Sequence, residues 1–504
     1  MYRRGCLIAF IALWMLGTSA ARATSAMPNP VAAAIRASGL PADSIAMLVQ
    51  EVTADQPLIA FNAERAMLTG SVMKVLTTYA GLELLGPAYS WTTEVHATGP
   101  VRKGVLEGDL VIRGLGDPKI TLESFWLLLR AVREHGVRDI RGDLVLDRSY
   151  YVASDYDPGD FDNEPLKPYN TLPDALLVNH KAVRLTLAPD LETRRVRITS
   201  EPPLAEIQIV NKIVLDNARC GNWRARLHQD ARREGALMRF TFTGRLSAQC
   251  GEHARYYSVL APQVYTAGLF RVLWTELGGR LRGSVREGPV PGDATLLVRQ
   301  ESPALAELVR DINKYSNNVM ARQLYLELGT SAFGAPATTE KSERAVRQWL
   351  ARKGLDMAGL TLENGSGLSR IERISAHGMG DLLLAAWRSP VMPELIASLP
   401  LVGVDGTFRH RLQHAGVNGH AHIKGGTIDG VRAIAGYVLD SAGHRFVVVC
   451  LINHPKITNA DAWPVFDALL RWVHSAPGHD PMPSADELIR NPISDRPTQD
   501  TERQ

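Results

Sequence analysis

Ser71-Val72-Met73-Lys74-Val75-Leu76-Thr77-Thr78-Tyr79-Ala80-Gly81-Leu82-Glu83-Leu84-Leu85 runs with helical apolar spacing into the stop Gly86-Pro87. A strand-like segment, 44–52, precedes it, so the chain opens as an α/β lobe. At the start of the helix Ser71 and Lys74 lie one turn apart on one face. A serine hydroxyl is a weak nucleophile until a neighbouring base takes its proton, and a lysine can be that base if burial lowers its pKa. The helix N-terminus favours negative charge developing on the same oxygen. Alone the pair is weak, because Ser-x-x-Lys arises roughly once by chance in a chain this long and usually means an N-cap serine beside a surface lysine.

Two distant stretches change that reading. Tyr315-Ser316-Asn317-Asn318 opens a second helix, and Lys424-Gly425-Gly426-Thr427 lies between strand-like segments. With Ser71 and Lys74 they form the ordered trio Ser-x-x-Lys, Ser-x-Asn and Lys-x-Gly. Ser71 and Ser316 are 245 positions apart (316 − 71), more than one compact core places between two residues of a site, so a separate module must intervene.

The texture of the chain supplies that module. From 95 to 258 it runs in short alternating segments such as 110–113, 143–146, 183–187 and 239–242, broken by Gly, Pro and Asp, which is the mark of a β-rich insertion. Helical spacing returns at 262–277, 303–314, 316–328 and 341–353. Strands at 433–439 and 445–452 and a helix at 460–474 follow. The expected organisation is therefore a catalytic domain from 27–94 and 259–477, an insertion at 95–258, and a polar, disordered tail at 478–504. A length of 504 residues exceeds what one core sustains.

The N-terminus reads as a cleaved export signal, 1–23. Arg3 and Arg4 precede an apolar run at 7–16, and Ala21-Arg22-Ala23 fits a cleavage site, so the mature chain starts near Thr24. The run is shorter than the roughly 20 residues needed to span a bilayer. Cys6 leaves with this segment, and Cys450, inside the apolar strand 446–452, reads as an inert core thiol. Cys220 and Cys250 are the pair an oxidising compartment would join, worth about 3 kcal/mol for such a loop; a reduced pair is the alternative. The net charge of +3 is spread along the chain, which argues against nucleic acid as a partner. The tail has no apolar face, so it forms no helix lying on a membrane, although peripheral association stays open; oligomeric state is not legible.

At Gly70-Ser71-Val72-Met73-Lys74, Asn313-Lys314-Tyr315-Ser316-Asn317-Asn318, Glu363-Asn364-Gly365-Ser366-Gly367-Leu368-Ser369-Arg370, Gly403-Val404-Asp405-Gly406-Thr407 and Gly430-Val431-Arg432, leading to Ala435-Gly436-Tyr437, the chain resembles the serine penicillin-binding proteins. It is most similar to their class C branch, the D-alanyl-D-alanine carboxypeptidase/endopeptidases, as far as about residue 475. The resemblance implies an α/β (α+β) penicillin-binding, serine β-lactamase-like domain split by inserted β-rich domains. It also implies a periplasmic hydrolase that acts on peptidoglycan stem peptides and cross-links through an acyl-enzyme, needs no cofactor or metal, and is inhibited by β-lactams.

Roles follow from the same resemblance. Ser71 attacks the carbonyl between two D-alanines and Lys74 takes its proton. Ser316 passes a proton toward the leaving amine, Asn318 holds the acyl-side amide, and Lys424 neutralises the terminal carboxylate. The N–H groups of Ser71 and Thr427 form the oxyanion hole. Arg370 and Asp155, the latter from the inserted module, would grip the far end of a diaminopimelate side chain. One departure stands out: Gly425 occupies the slot where the family has threonine, removing a hydroxyl donor worth roughly 1.5–3 kcal/mol to a carboxylate. Thr427, two positions on, is a candidate replacement. Ordinary activity, endopeptidase cleavage and binding without turnover all stay open, as does a β-lactamase or esterase on the same fold. His420 and His422 lack companion ligands for a metal. Gly365-Ser366-Gly367 is not a nucleophile elbow. Gly114-Leu115-Gly116-Asp117-Pro118 is a turn and not a dinucleotide fingerprint.

Overall fold

The structure, a computed structural model, describes residues 27–152 and 156–475. The expected export signal, the polar tail beyond 475 and Asp155 lie outside the described residues. Five antiparallel strands form the central sheet in the order Ile59–Phe61, Ile45–Glu51, Arg445–Asn453, Val431–Leu439 and Ala421–Ile428. Alternation along them divides two cores. Ile45, Met47 and Val49 face helices Asn29–Ser38 and Asn459–His474, whereas Ala46 and Leu48 face a layer built around helix Lys74–Leu84. Cys450 is a buried free thiol at the middle of this sheet, paired with both Met47 and Ile434.

Sheet order leaves Ala421–Ile428 with one neighbour, so one row of its N–H and C=O groups faces outward. The Ile423 N–H donates outward to Pro400 O at 2.8 Å, which fixes the pattern: N–H groups two and four residues on, at Gly425 and Thr427, point to the same open side.

Sequence texture placed the insertion at 95–258 with the catalytic domain resuming at 259, and packing moves both limits. Thr295–Glu301 pairs with Thr92–Ala97, and Val285–Glu287 pairs with Leu144–Asp147, so one sheet of the insertion draws on residues from 92 to 301. Helix Pro262–Glu276 lies in this module's core through Tyr265, Leu269, Phe270 and Trp274. Its spacing reveals a helix but not which core the helix serves. The module is also less purely β than its texture suggested. Helix Leu122–Glu134 is capped by Thr121, which accepts from the Ser124 N–H, and supports strands paired in parallel, an arrangement that needs crossovers. Two three-stranded sheets at 182–258 form a second, nested β unit, and there Cys220 and Cys250 are joined as a disulfide. Among the described residues no helix is long and apolar enough to cross a membrane.

Candidate active site

Residues 70–85 enter their helix through a tight turn. Gly70–Met73 is 3₁₀ and Lys74–Leu84 is α-helical, so the expected single helix changes pitch at the lysine. From Lys74 to Leu82 every residue is buried, and Thr77 and Thr78 satisfy their hydroxyls on Gly365 O and Lys74 O. The surface lysine of a chance motif is thereby excluded: Lys74 is 0 % exposed.

Its amine sits among three oxygens, with Ser71 Oγ at 2.8 Å, Asn318 Oδ1 at 2.6 Å and Ser366 O at 2.5 Å. Burial holds the Lys74 pKa well below the usual lysine value; the charges of Lys424 and Arg322 push it further down and Glu372 opposes them. A neutral amine has two N–H donors and one lone pair. Asn318 Oδ1 and the Ser366 carbonyl can only accept, so they take both donors and leave the lone pair directed at the Ser71 hydroxyl.

The Ser366 carbonyl is itself held in place. Buried Glu372 accepts N–H bonds from Glu363, Asn364, Gly365 and Gly367, at 2.6 to 3.1 Å, and so clamps the turn that carries it. Gly367 is required there, because a Cβ at this position would lie 1.8 Å from Gly70 O. Sequence reasoning quoted the turn but missed Glu372, an isolated acid whose partners are all backbone.

Ser316 links helices Leu305–Lys314 and Asn318–Phe333 with φ +56°, a left-handed conformation costly for a residue with a side chain. Asn317 caps the second helix by accepting from the Met320 N–H, and the Asn317 N–H donates to Ile312 O. The branch motifs support the same turn. Lys314 Nζ pairs with Asp405 at 2.6 Å, and Asp405 also accepts from the Leu401 N–H, tying the Ser316 turn to the loop beside the edge strand.

From that strand Lys424, also fully buried, donates to Ser316 Oγ at 3.0 Å and to Gly425 O at 2.8 Å. Burial lowers its pKa to about 7. The strand meets the serine turn backbone to backbone: a Cβ on Gly426 would lie 2.1 Å from Thr69 O and 3.1 Å from Ser71 N. One on Gly70 would lie 3.2 Å from Thr427 N. The outward N–H of Thr427 therefore opens onto the cleft beside Ser71.

The Gly425 departure has a physical basis. A Cβ at 425 would lie 2.9 and 3.2 Å from Cε2 and Cζ of Phe408, a buried ring packed edge-on against Trp463 at 5.7 Å. The aromatic ring occupies the volume a threonine would need. Alternation puts Thr427 on the same strand face as 425, opposite Lys424, with its side chain exposed. Phe408 directly follows a motif read from the sequence, yet nothing in that motif pointed to the pairing.

Ser71, Lys74, Ser316, Asn318, Lys424 and the backbone of Thr427 thus converge on one cleft. Arg370 stands at its rim, donating to Asp429 O at 3.0 Å with its guanidinium 4.4 Å above the Phe161 ring of the inserted module.

The chain is similar to known proteins along most of its length. A profile of the D-Ala-D-Ala carboxypeptidase 3 (S13) family matches residues 28–475. The chain is 30% identical over 468 residues to a D-alanyl-D-alanine carboxypeptidase of Actinomadura sp. (strain R39), covering 89% of this chain and 84% of that one. It is 24% identical to D-alanyl-D-alanine carboxypeptidase DacB of Haemophilus influenzae, covering 81% of this chain and 85% of the relative. The crystal structure of penicillin binding protein 4 from H. influenzae superposes with a TM-score of 0.75 at 23% identity, over 89% of this chain and all of that one. The same H. influenzae protein has been solved in complex with a β-lactam.

Proposed function

The chain belongs to the D-Ala-D-Ala carboxypeptidase 3 (S13) family, and on that premise we propose that it is a penicillin-binding serine D,D-carboxypeptidase and endopeptidase whose nucleophile is Ser71. The observation that carries this reading is the Lys74 amine, 2.8 Å from Ser71 Oγ with both its donors committed elsewhere. Ser71 attacks the D-alanyl carbonyl as Lys74 takes the hydroxyl proton. The tetrahedral oxyanion lies between the N–H groups of Ser71 and Thr427, an arrangement generally worth about 3–4 kcal/mol. As the C–N bond breaks, Ser316 passes a proton to the leaving amine and is given back the one that Lys74 took from Ser71, which returns Lys74 to its neutral amine. Water then attacks the acyl-serine, Lys74 again acting as base, and releases the shortened peptide.

Asn318 is proposed to hold the acyl-side amide, Lys424 the terminal carboxylate, and Arg370, with Asp155, the distal end of a diaminopimelate side chain. The substrates are peptidoglycan stem peptides and cross-links, β-lactams are inhibitors, and the protein is exported to the periplasm on its N-terminal segment. Incubation with benzylpenicillin should add one penicilloyl group, mapped by mass spectrometry to the peptide containing Ser71, and Ser71→Ala should take up none. Labelling on any other serine, or none in the wild type, would overturn the assignment. The Phe408 ring behind Gly425 favours a second reading, a peptidoglycan-docking protein with sacrificed turnover. Mass analysis of products from a defined cross-linked muropeptide separates the two, because a docking protein binds the muropeptide and leaves it intact.

A further inference from the structure

Arg322 lies on the same helix as Asn318, one turn on, about 6 Å along the axis and away from the Ser316 and Lys424 end of the cleft. It is 6 % exposed, yet its guanidinium is nearly unpartnered. Nε has no hydrogen-bond partner, and the contact from Nη1 is to Thr171 O at 3.5 Å. Among the described residues no carboxylate comes within ion-pairing distance. Glu372, the acid with the greatest influence on it, has its oxygens occupied by the four backbone N–H groups of the Ser366 turn. Arginine does not shed its proton to escape burial, so an unpaired guanidinium here is expensive unless a ligand supplies the counter-charge.

The space to receive one is present. Arg322 lines a cavity of about 410 Å³ whose lining is shared by Tyr151 and Leu172 of the inserted module and by Tyr325 of its own helix. The Tyr325 hydroxyl is likewise buried without a partner. Helix Thr339–Arg352 begins at the cavity, adding the positive end of its dipole. Glu340 and Glu363 stand in the same lining and disfavour a multiply charged anion such as phosphate. One planar guanidinium fork beside a phenol hydroxyl matches one carboxylate.

We propose that this cavity is a second recognition site that binds a carboxylate carried on the acyl-side segment of the substrate peptide, gripped by Arg322 and Tyr325. The inference rests on the peptidase reading but concerns a group remote from the cleaved bond. Its test is calorimetric binding to Ser71→Ala of two synthetic stem peptides, identical except that the acyl-side carboxylate is free in one and amidated in the other. A charge-assisted bond of this kind corresponds to a preference of about 10- to 100-fold for the free acid. Arg322→Gln in the same background should erase the preference, and Arg322→Lys, which keeps charge without the fork, should retain part of it. Equal binding of the two peptides to Ser71→Ala overturns the proposal, as does a preference that survives Arg322→Gln. Glutarate as a third titrant separates the sources: Arg322-dependent glutarate binding with no discrimination between the peptides means a free acid site, and sinks the substrate assignment. Wild-type turnover is scored separately. Failure to cleave either peptide refutes the peptidase reading, whereas the binding ratio still decides the cavity.

Discussion

Replacing Gly425 with threonine restores the residue the family motif carries, and on sequence grounds it should improve the enzyme. Packing dictates the reverse. The new Cβ would lie 2.9 Å from Phe408 Cε2 and 3.2 Å from Cζ, closer than side-chain carbons normally approach, before the hydroxyl and methyl are added. The ring cannot swing freely, being 2 % exposed and packed edge-on against Trp463, whose own ring meets Phe466 at 5.6 Å. Overpacking of this kind costs about 1–3 kcal/mol. For a lobe in the 150–250-residue class each kcal/mol lowers Tm by about 2–4 °C. Gly425→Thr should therefore melt roughly 2–12 °C below wild type by calorimetry and be acylated by benzylpenicillin no faster. The double variant Phe408→Leu with Gly425→Thr removes the two clashing ring atoms. It should be more stable than the sum of the single changes by about 0.5–3 kcal/mol, and its acylation should exceed that of either single variant as the hydroxyl reaches the carboxylate. An unchanged Tm with faster acylation in Gly425→Thr alone would refute the claim that the ring fills the threonine's place.

Lys74→Met keeps the volume of the side chain and removes the base; stopped-flow acylation should fall about 10²- to 10⁴-fold, and a near-wild-type rate in the folded variant would remove lysine from the mechanism. The pH profile follows from two buried amines. Lys74, with its pKa held well below the usual lysine value, is neutral where an ordinary lysine is charged, so acylation rises as pH climbs through its lowered pKa. Lys424 must be protonated to meet the carboxylate, and with a pKa of about 7 in the free protein it should cut kcat/KM for carboxylate-bearing substrates as pH rises past that value. A substrate lacking the carboxylate should lose this alkaline limb, and a limb common to both substrates would contradict the role given to Lys424. The Cys220–Cys250 bridge closes a separation of 30 residues, for which chain entropy gives about 3.5 kcal/mol. A Cys220→Ser, Cys250→Ser double variant should destabilise the nested β unit in hydrogen exchange, while penicillin still labels Ser71; loss of labelling would couple that unit to the site.

Much of the site was legible because its chemistry is carried by side chains at fixed local spacing. Ser71 and Lys74 share a turn, Ser316 and Asn318 flank a helix start, and Lys424 sits on a strand with an outward N–H three residues later. Each pattern is a local constraint, so it survives in one dimension. Glu372 was not legible, since it binds only backbone N–H groups and any acid two residues past Arg370 would look the same. Phe408 and Arg322 were missed for a related reason: one fills a volume, the other lacks partners, and neither property exists until distant segments meet.

The insertion shows where the two kinds of information divide. Period-2 and period-3.6 patterns located its strands and the helix at 262–276, because backbone geometry writes those periods directly into the order of residues. They could not assign that helix to a core, since an apolar face is equally satisfied by either lobe; the pairing of Thr295–Glu301 with Thr92–Ala97 decided it. By itself the sequence determined which groups could react and which elements carry them. Only the tertiary structure decided that Lys74 is buried among three oxygens, which lowers its basicity, and that a phenyl ring stands where a hydroxyl was expected, because burial and excluded volume belong to the packed chain and not to its order of residues.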